Sequence, residues 1–303
     1  MEIVYLDGRL VPRSEAKLSP FDHGFLYGYG LFETMRAYGG HIFRFDRHLA
    51  RLRDSAEALG LAYDVIDGGA RQSLESACTA VLEANKLGDA RLRLTITAGE
   101  GDMIPDLSAC SRPTVLVTAR ELTPLPLHKY ESGFRAMLSS LRRNSRSPLS
   151  RLKSTCYAEN VLARMEAGAA GCDEAIMLNE RGYLAEGSTT NIFLVGKSLP
   201  LRRREQARVL ITPSLESGVL PGITRQAVLE IAQTLNIETS ERYVEPSELV
   251  EAEEAFITNS ILEVMPLTWF DGQPIGSGRP GALTGEFALA YRRLVDESFG
   301  ASS

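Results

Sequence analysis

Ala175-Ile176-Met177-Leu178-Asn179, then Glu180-Arg181-Gly182, then Tyr183-Leu184-Ala185-Glu186, is the stretch on which the fold turns. Two apolar runs flank a short polar break, and Gly182 can take the positive φ that a tight turn between antiparallel strands needs, so a β-hairpin is expected. Downstream, Asn191 to Val195 supplies another strand. Leu220-Pro221-Gly222-Ile223-Thr224 then enters a helix running to about Leu235, and Ala255-Phe256-Ile257-Thr258 reads as a buried strand. Upstream lie a strand near Phe134 to Ser140 and a helix from about Thr155 to Ala169, with Leu162 and Met165 among its apolar positions.

Further toward the N-terminus, Met1 is followed by Glu2-Ile3-Val4-Tyr5-Leu6-Asp7-Gly8, a strand and a turn with none of the basic start and apolar centre of a signal peptide. Ile42 to Asp46 leads into a helix from Arg47 to Gly60, in which Leu49, Leu52, Ala56 and Leu59 share one face and Gly60 ends the pattern. A second helix is expected over Gln72 to Asn85. Arg91-Leu92-Arg93-Leu94-Thr95-Ile96-Thr97 alternates as a half-buried strand does, and Thr114 to Ala119 is β-rich. Pro124 and Pro126 deny Leu122 to Leu127 a regular ladder or helix. The expectation is therefore an α+β chain of two α/β-type domains, with residues 1–121 as a small N-terminal domain, 122–132 as linker and 133–303 as the larger domain.

With 303 residues the chain can bury a sizeable core, and 44% hydrophobic with 24% charged residues is ordinary globular composition. A net charge of −6 repels nucleic acid and anionic membrane, and no apolar run reaches the ~18 residues of a membrane span. The four cysteines, Cys78, Cys110, Cys156 and Cys172, form no C-x-x-C pair, so neither a metal site nor a disulfide framework is expected, and the compartment that suits them is the cytoplasm. Basic clusters at Arg142, Arg143, Arg146 and at Arg202 to Arg204 are local exceptions. The second reads as a solvated loop, while the first lies just upstream of Lys153 and fits the edge of a site as well as it fits solvent.

Four features each have a plain reading and a chemical one. Lys153, in Ser150-Arg151-Leu152-Lys153-Ser154-Thr155, is expected at the start of a helix, where the dipole and Arg151 disfavour its protonated form and favour a nucleophilic amine; lysines so placed are usually just solvated. Glu186, ahead of Gly187-Ser188-Thr189-Thr190-Asn191, is either a solvated turn residue or a buried carboxylate able to keep a pyridine nitrogen protonated. Gly222-Ile223-Thr224 at a helix head is either an ordinary start or an anion site of backbone N–H groups and a hydroxyl. Arg51, in His48-Leu49-Ala50-Arg51-Leu52, can bring a guanidinium to a phosphate, but Arg47 and Arg53 compete for that role on spacing alone.

Taken in order, these segments resemble the class IV pyridoxal-phosphate family of branched-chain aminotransferases, D-amino-acid aminotransferases and aminodeoxychorismate lyases. The resemblance runs from Tyr5-Leu6-Asp7-Gly8 through Ser19 to Gly28, Gly30 to Arg36 and His48 to Leu52. It is strongest in Leu152-Lys153-Ser154, Asp173-Glu174-Ala175, Glu186 to Phe193, Leu220 to Arg225, and Thr258-Asn259-Ser260 before Met265-Pro266. It implies a fold-type IV enzyme with a β-barrel-like C-terminal domain that binds pyridoxal 5'-phosphate. Lys153 would be the Schiff-base lysine and general acid/base, and Glu186 the partner of the pyridinium nitrogen. Arg51, Ile223, Thr224 and Ser260 would hold the phosphate, and Tyr157 the phenolic oxygen. It also implies a homodimer whose Phe25 to Phe32 loop helps to close the partner's site.

Within the family, Phe32-Glu33-Thr34 lacks the Phe-Glu-Gly usual in branched-chain enzymes and is nearer the lyases. Ala98 to Ile104 lacks the arginine and histidine with which D-amino-acid enzymes trap a carboxylate. Tyr27, Phe32 and Met103, with Ile104, suit an apolar side-chain pocket, which favours transfer from an aliphatic or branched-chain L-amino acid to a 2-oxo acid such as 2-oxoglutarate. The alternatives are elimination of pyruvate from aminodeoxychorismate and, from a different class, a binding module without catalysis. Retention of both lysine and carboxylate argues against the binding module.

Overall fold

The computed structural model describes residues 1–61, 70–110, 112–197 and 208–300, and the Arg202 to Arg204 cluster lies outside them. The chain divides into two compact units: Met1–Thr123 with Leu152–Tyr157, and Pro124–Arg151 with Ala158–Ser303.

The first unit holds β1 (Ile3–Leu6), β2 (Arg9–Pro12), β3 (Gly30–Tyr38), β4 (His41–Ile42), β5 (Ala90–Thr97) and β6 (Thr114–Glu121), in the order β2-β1-β6-β5-β3-β4. All its pairings are antiparallel. A short helix α1 (His23–Tyr27) precedes β3, and α2 (Phe45–Leu59) and α3 (Ala70–Ala84) supply the helical layer. The amphipathic pattern works as read. Leu49, Leu52 and Ala56 are buried with Leu31, Met35, Leu92, Leu94 and Ile96, and Gly60 stops α2 in the left-handed region at φ 65°. Cys78 is sealed in this core, and burial pushes its thiol up to about 12.

The second unit contains a mixed sheet of β7 (Phe134–Arg143), β8 (Glu174–Asn179), β9 (Leu184–Gly187), β10 (Asn191–Lys197), β11 (Arg208–Pro213), β12 (Glu238–Arg242), β13 (Glu254–Asn259), β14 (Glu263–Phe270) and β15 (Gln273–Pro274). Its order is β12-β11-β10-β13-β14-β7-β8-β9, with β15 on β14. The sheet curls into a half-barrel, so that Leu184 N at one end donates to Val244 O beyond the other. Ile176, Leu178, Ile192, Leu194, Ile257 and Met265 share one buried cluster. Their alternates serve the helices: Ala175 and Met177 pack with Ala163 and Ala167, while Phe193 stacks on Phe256, which meets Phe287. The helices are α4 (Leu127–Ser132), α5 (Ala158–Ala169), α6 (Ile223–Thr234), α7 (Pro246–Glu251) and α8 (Ala282–Gly300).

The expected hairpin is present as β8 and β9, with Gly182 at φ 88°. Two expectations need correction. Residues 122–132 are not all connecting chain: α4 starts directly after Pro126, whose ring bars a helix only from extending back through it. The helix expected from Thr155 starts only at Ala158, because the preceding residues are taken by a strand pairing in the first unit.

Candidate active site

That pairing places Lys153. β4 covers only the Ala37 and Tyr38 end of β3, which leaves the edge at Gly30 to Phe32 open to another strand. Leu152–Tyr157 takes it: Phe32 N donates to Lys153 O (2.9 Å), Thr155 N donates to Gly30 O (2.8 Å), and Leu31 bridges Ser154. The approach requires glycine at 30, since a Cβ there would lie 2.9 Å from Ile96 O and 3.2 Å from Thr155 Oγ1. The expected helix-dipole effect on Lys153 is therefore overturned. The lysine lies outside any helix, its carbonyl held by the bond from Phe32 N, five residues ahead of α5.

Its amine lies among aromatic rings, with Nζ 4.8 Å from the Phe32 centroid and 6.0 Å from that of Tyr157. The two rings meet edge to face at 5.2 Å, and Arg93 lays its guanidinium 3.7 Å from the Phe32 centroid. Arg93 was not singled out from sequence. Its place on the polar face of the Arg91-Leu92-Arg93-Leu94 alternation was the available signal.

Behind Phe32, Glu33 is 1% exposed and forms a buried cluster. Arg51 Nε donates to Glu33 Oε1 (2.8 Å) and Nη2 to Oε2 (2.5 Å), and His48 Nδ1 lies 2.7 Å from Oε2. Burial alone would raise the Glu33 carboxyl, but Arg51 and His48 outweigh it and hold it down at about 2. Burial leads the causes that lower His48, and the charges of Arg51 and Lys153 act in the same direction. Burial also separates Arg51 from its rivals, since Arg47 is exposed and Arg53 half-buried. Glu33 and His48 were missed, although an acid inside the apolar run Leu31 to Met35 facing a His-x-x-Arg helix spacing was a legible cue.

Tyr27 and Met103 meet through a 2.5 Å bond from the Tyr27 hydroxyl to Met103 O. His23 Nε2 lies 2.7 Å from Asp102 O, so the loop after β5 is pinned to α1.

In the second unit Glu186 is 5% exposed rather than a solvated turn residue. Arg143 Nη2 lies 3.1 Å from its Oε1, and Leu220 N donates to its Oε2 (2.9 Å). Asn191 Nδ2 donates to Leu220 O (3.0 Å), so Leu220-Pro221-Gly222 is clamped just ahead of α6. A Cβ on Gly222 would lie 1.9 Å from Asn191 Oδ1. Gly222 is the N-cap of α6, no side chain caps that helix, and Ile223 and Thr224 behind it are buried. Ser260 lies in the turn after β13, half-buried, beside Asn259, whose Oδ1 accepts from Ile261 N (2.9 Å) and Leu262 N (2.7 Å). Glu174, 1% exposed, accepts from Ser188 Oγ, Ser188 N (3.1 Å), Ala175 N (2.9 Å) and Thr190 Oγ1 (3.0 Å), which fixes the turn after Glu186.

Residues 30–269 match the family model for amino-transferase class IV. The chain belongs to the class IV aminotransferases. It is 36% identical to an aminodeoxychorismate lyase of Bacillus subtilis, over 97% of this chain and 94% of that one. It is 31% identical to a branched-chain-amino-acid aminotransferase of Pseudomonas aeruginosa, over 97% and 92%. A solved branched-chain amino acid aminotransferase from Escherichia coli superposes with a TM-score of 0.87 at 30% identity, covering 97% of this chain and 94% of that one.

Class IV aminotransferases use pyridoxal phosphate, and another solved branched-chain enzyme of this fold, 31% identical at a TM-score of 0.86, holds pyridoxamine 5'-phosphate. The residues of this chain fit that group. An uncapped, buried helix N-terminus suits a phosphate dianion. Glu186 is a buried carboxylate, the kind of acceptor that suits a protonated ring nitrogen, and it is oriented by Arg143 and Leu220 N. Lys153 carries its amine on a main-chain segment held by pairing to β3.

Proposed function

We propose that the chain transfers an amino group from an aliphatic or branched-chain L-amino acid to a 2-oxo acid such as 2-oxoglutarate. The observation that carries this reading is the fixing of Lys153 on the Gly30 to Phe32 edge, with Nζ over Phe32 and Arg93 on the same ring. The bound cofactor supplies an aldehyde to hold the amine and a ring to take up the electrons of a bond broken at the substrate's Cα.

The residues divide the remaining work. Lys153 holds the cofactor and moves the proton at Nζ. Glu186 accepts the hydrogen bond of the ring nitrogen. Ile223 N, the Thr224 hydroxyl, Ser260 and Arg51 receive the phosphate, and Tyr157 donates to the phenolic oxygen. Arg93, half-buried beside Phe32, offers a guanidinium to a substrate carboxylate, while Phe32, Tyr27 and Met103 contact the side chain.

A homodimer in the cytoplasm is part of the proposal. Phe25, Met103 and Ile104 leave 76%, 73% and 67% of their surface uncovered around α1 and its pinned loop, a face suited to a second copy. Among the described residues no helix is long and apolar enough to cross a membrane.

One specific observation favours a second reading: Thr34 follows Glu33 where branched-chain enzymes carry glycine, and a lyase is among the relatives. The test is purified enzyme with leucine and 2-oxoglutarate. Glutamate formation, with an absorbance band near ~400 nm that borohydride abolishes, supports transamination through the lysine. Release of pyruvate from aminodeoxychorismate without glutamate formation assigns the lyase reaction instead.

A further inference from the structure

The basic cluster Arg142, Arg143, Arg146 does not act as a unit. Arg142 and Arg146 are exposed, and Arg142 Nη1 donates to Ser139 O (2.8 Å). Arg143, at the end of β7, is 9% exposed. Its Nη2 donates to Ser150 O (2.8 Å) and lies 3.1 Å from Glu186 Oε1. Its Nε is buried with no acceptor among the described residues. Burying a guanidinium is costly unless partners compensate its charge, so a buried arginine marks a place where its partner has to stay charged or stay put.

Both partners belong to the candidate chemistry. Glu186 is the carboxylate assigned to the ring nitrogen, and Ser150 lies in the single turn Pro148–Arg151 that leads directly into Leu152–Tyr157, the strand of Lys153. We propose that Arg143 is a positioning residue that holds Glu186 Oε1 and the Ser150 carbonyl on one guanidinium, keeping Glu186 a charged, oriented acceptor and fixing the turn ahead of Lys153. The assignment rests on the reading of Glu186 as the cofactor's partner. A further charged group beside the pair is Glu159 on α5, 64% exposed, with Oε2 4.0 Å from Arg143 Nη1. Its exposure leaves it well solvated, so Glu186 is the acid that depends on Arg143. Leu220 N holds the second oxygen of Glu186, so removal of Arg143 takes the guanidinium from Oε1 and leaves the bond at Oε2.

The experiment uses the full chain with Arg143→Gln, Arg143→Lys, Glu186→Gln and the Arg143→Gln/Glu186→Gln double variant. Without added cofactor, urea unfolding at pH 5.5 and pH 8 is expected to show the double variant losing less than the sum of the single losses. Arg143→Gln should lose more at pH 8 than at pH 5.5, because Glu186 then ionises in a buried place without the Arg143 charge beside it; a loss of packing alone does not depend on pH. Arg143→Lys restores the charge and should remove most of that pH dependence.

With pyridoxal phosphate bound, Arg143→Gln should lower kcat by about 10- to 100-fold, as loss of a partner behind a ligating residue typically does, with KM for the amino donor nearly unchanged and the visible absorbance titrating at a shifted pH. Additive, pH-independent losses, or an unchanged kcat and spectral titration, would overturn the proposal. If the unmodified chain gives no borohydride-sensitive band, the reading of Glu186 fails, while the cofactor-free cycle still judges the Arg143 pair. Should Arg143→Gln not fold, Arg143→Lys against Glu186→Gln decides by the same pH comparison.

Discussion

Glu33 and Glu174 are both 1% exposed, one in each unit, and they are stabilised by opposite means. Glu33 sits against Arg51 and His48, so a cation compensates its charge. Glu174 is held mainly by neutral dipoles, the Ser188 and Thr190 hydroxyls and two backbone N–H groups, with the half-exposed Arg164 no nearer than 3.9 Å. The difference lies in what each carboxylate orders. Glu33 fixes the guanidinium proposed for the phosphate, whereas Glu174 fixes a turn of backbone. A buried ion pair is sensitive to loss of one member because the other charge is stranded; a cage of dipoles loses only hydrogen bonds.

The largest expected effect tests whether chemistry and stability reside in different side chains of the first unit. Lys153→Ala should cut transamination by about 10³-fold or more and abolish the borohydride-sensitive band. It should cost under about 1 kcal/mol in urea unfolding, because the strand is held by backbone pairing. A large stability loss would mean that Lys153 is structural.

Next, Glu33→Ala should cost about 3–5 kcal/mol by stranding Arg51. Acid titration sharpens this. The Glu33 carboxyl at about 2 lies below its ordinary 4.5, so its contribution is present above the ordinary value and is lost as pH falls toward 2. Glu33→Gln should flatten that part of the acid-unfolding curve, and an unchanged curve would refute the pairing.

Glu174→Ala should cost less, about 2–3 kcal/mol for its stranded donors, read by urea unfolding. If it costs more than Glu33→Ala, the contrast between the two units collapses. The smallest effect is expected for Gly222→Ala, about 1–2 kcal/mol as Asn191 gives way and releases Leu220 O. Calorimetry should also show weakened pyridoxal-phosphate binding. Unaltered binding would remove the helix head from the phosphate assignment.

Local pattern made a good part of this legible. α2 with its terminal Gly60, the Gly182 hairpin, β5, and the entry to α6 through Leu220-Pro221-Gly222 each follow from a period of 3.6 or 2 or from a residue with a special backbone requirement. Lys153 was expected at the start of a helix because the partner of its segment is Gly30 to Phe32, more than a hundred residues away, and no local rule registers so remote a pairing.

The sequence by itself determined the family and the cofactor, because the ordered series from Arg51 through Lys153, Glu186 and Gly222-Ile223-Thr224 to Ser260 needs no coordinates to be recognised. Only the tertiary structure decided which of three neighbouring arginines is buried at Glu33, that Lys153 is held by a strand edge rather than a helix dipole, and that Arg143 rather than Arg142 or Arg146 meets Glu186. The reason is physical. Residue type sets what a group can do, but burial and the choice of partner set its charge and its aim, and those depend on chain segments that meet only in the folded state.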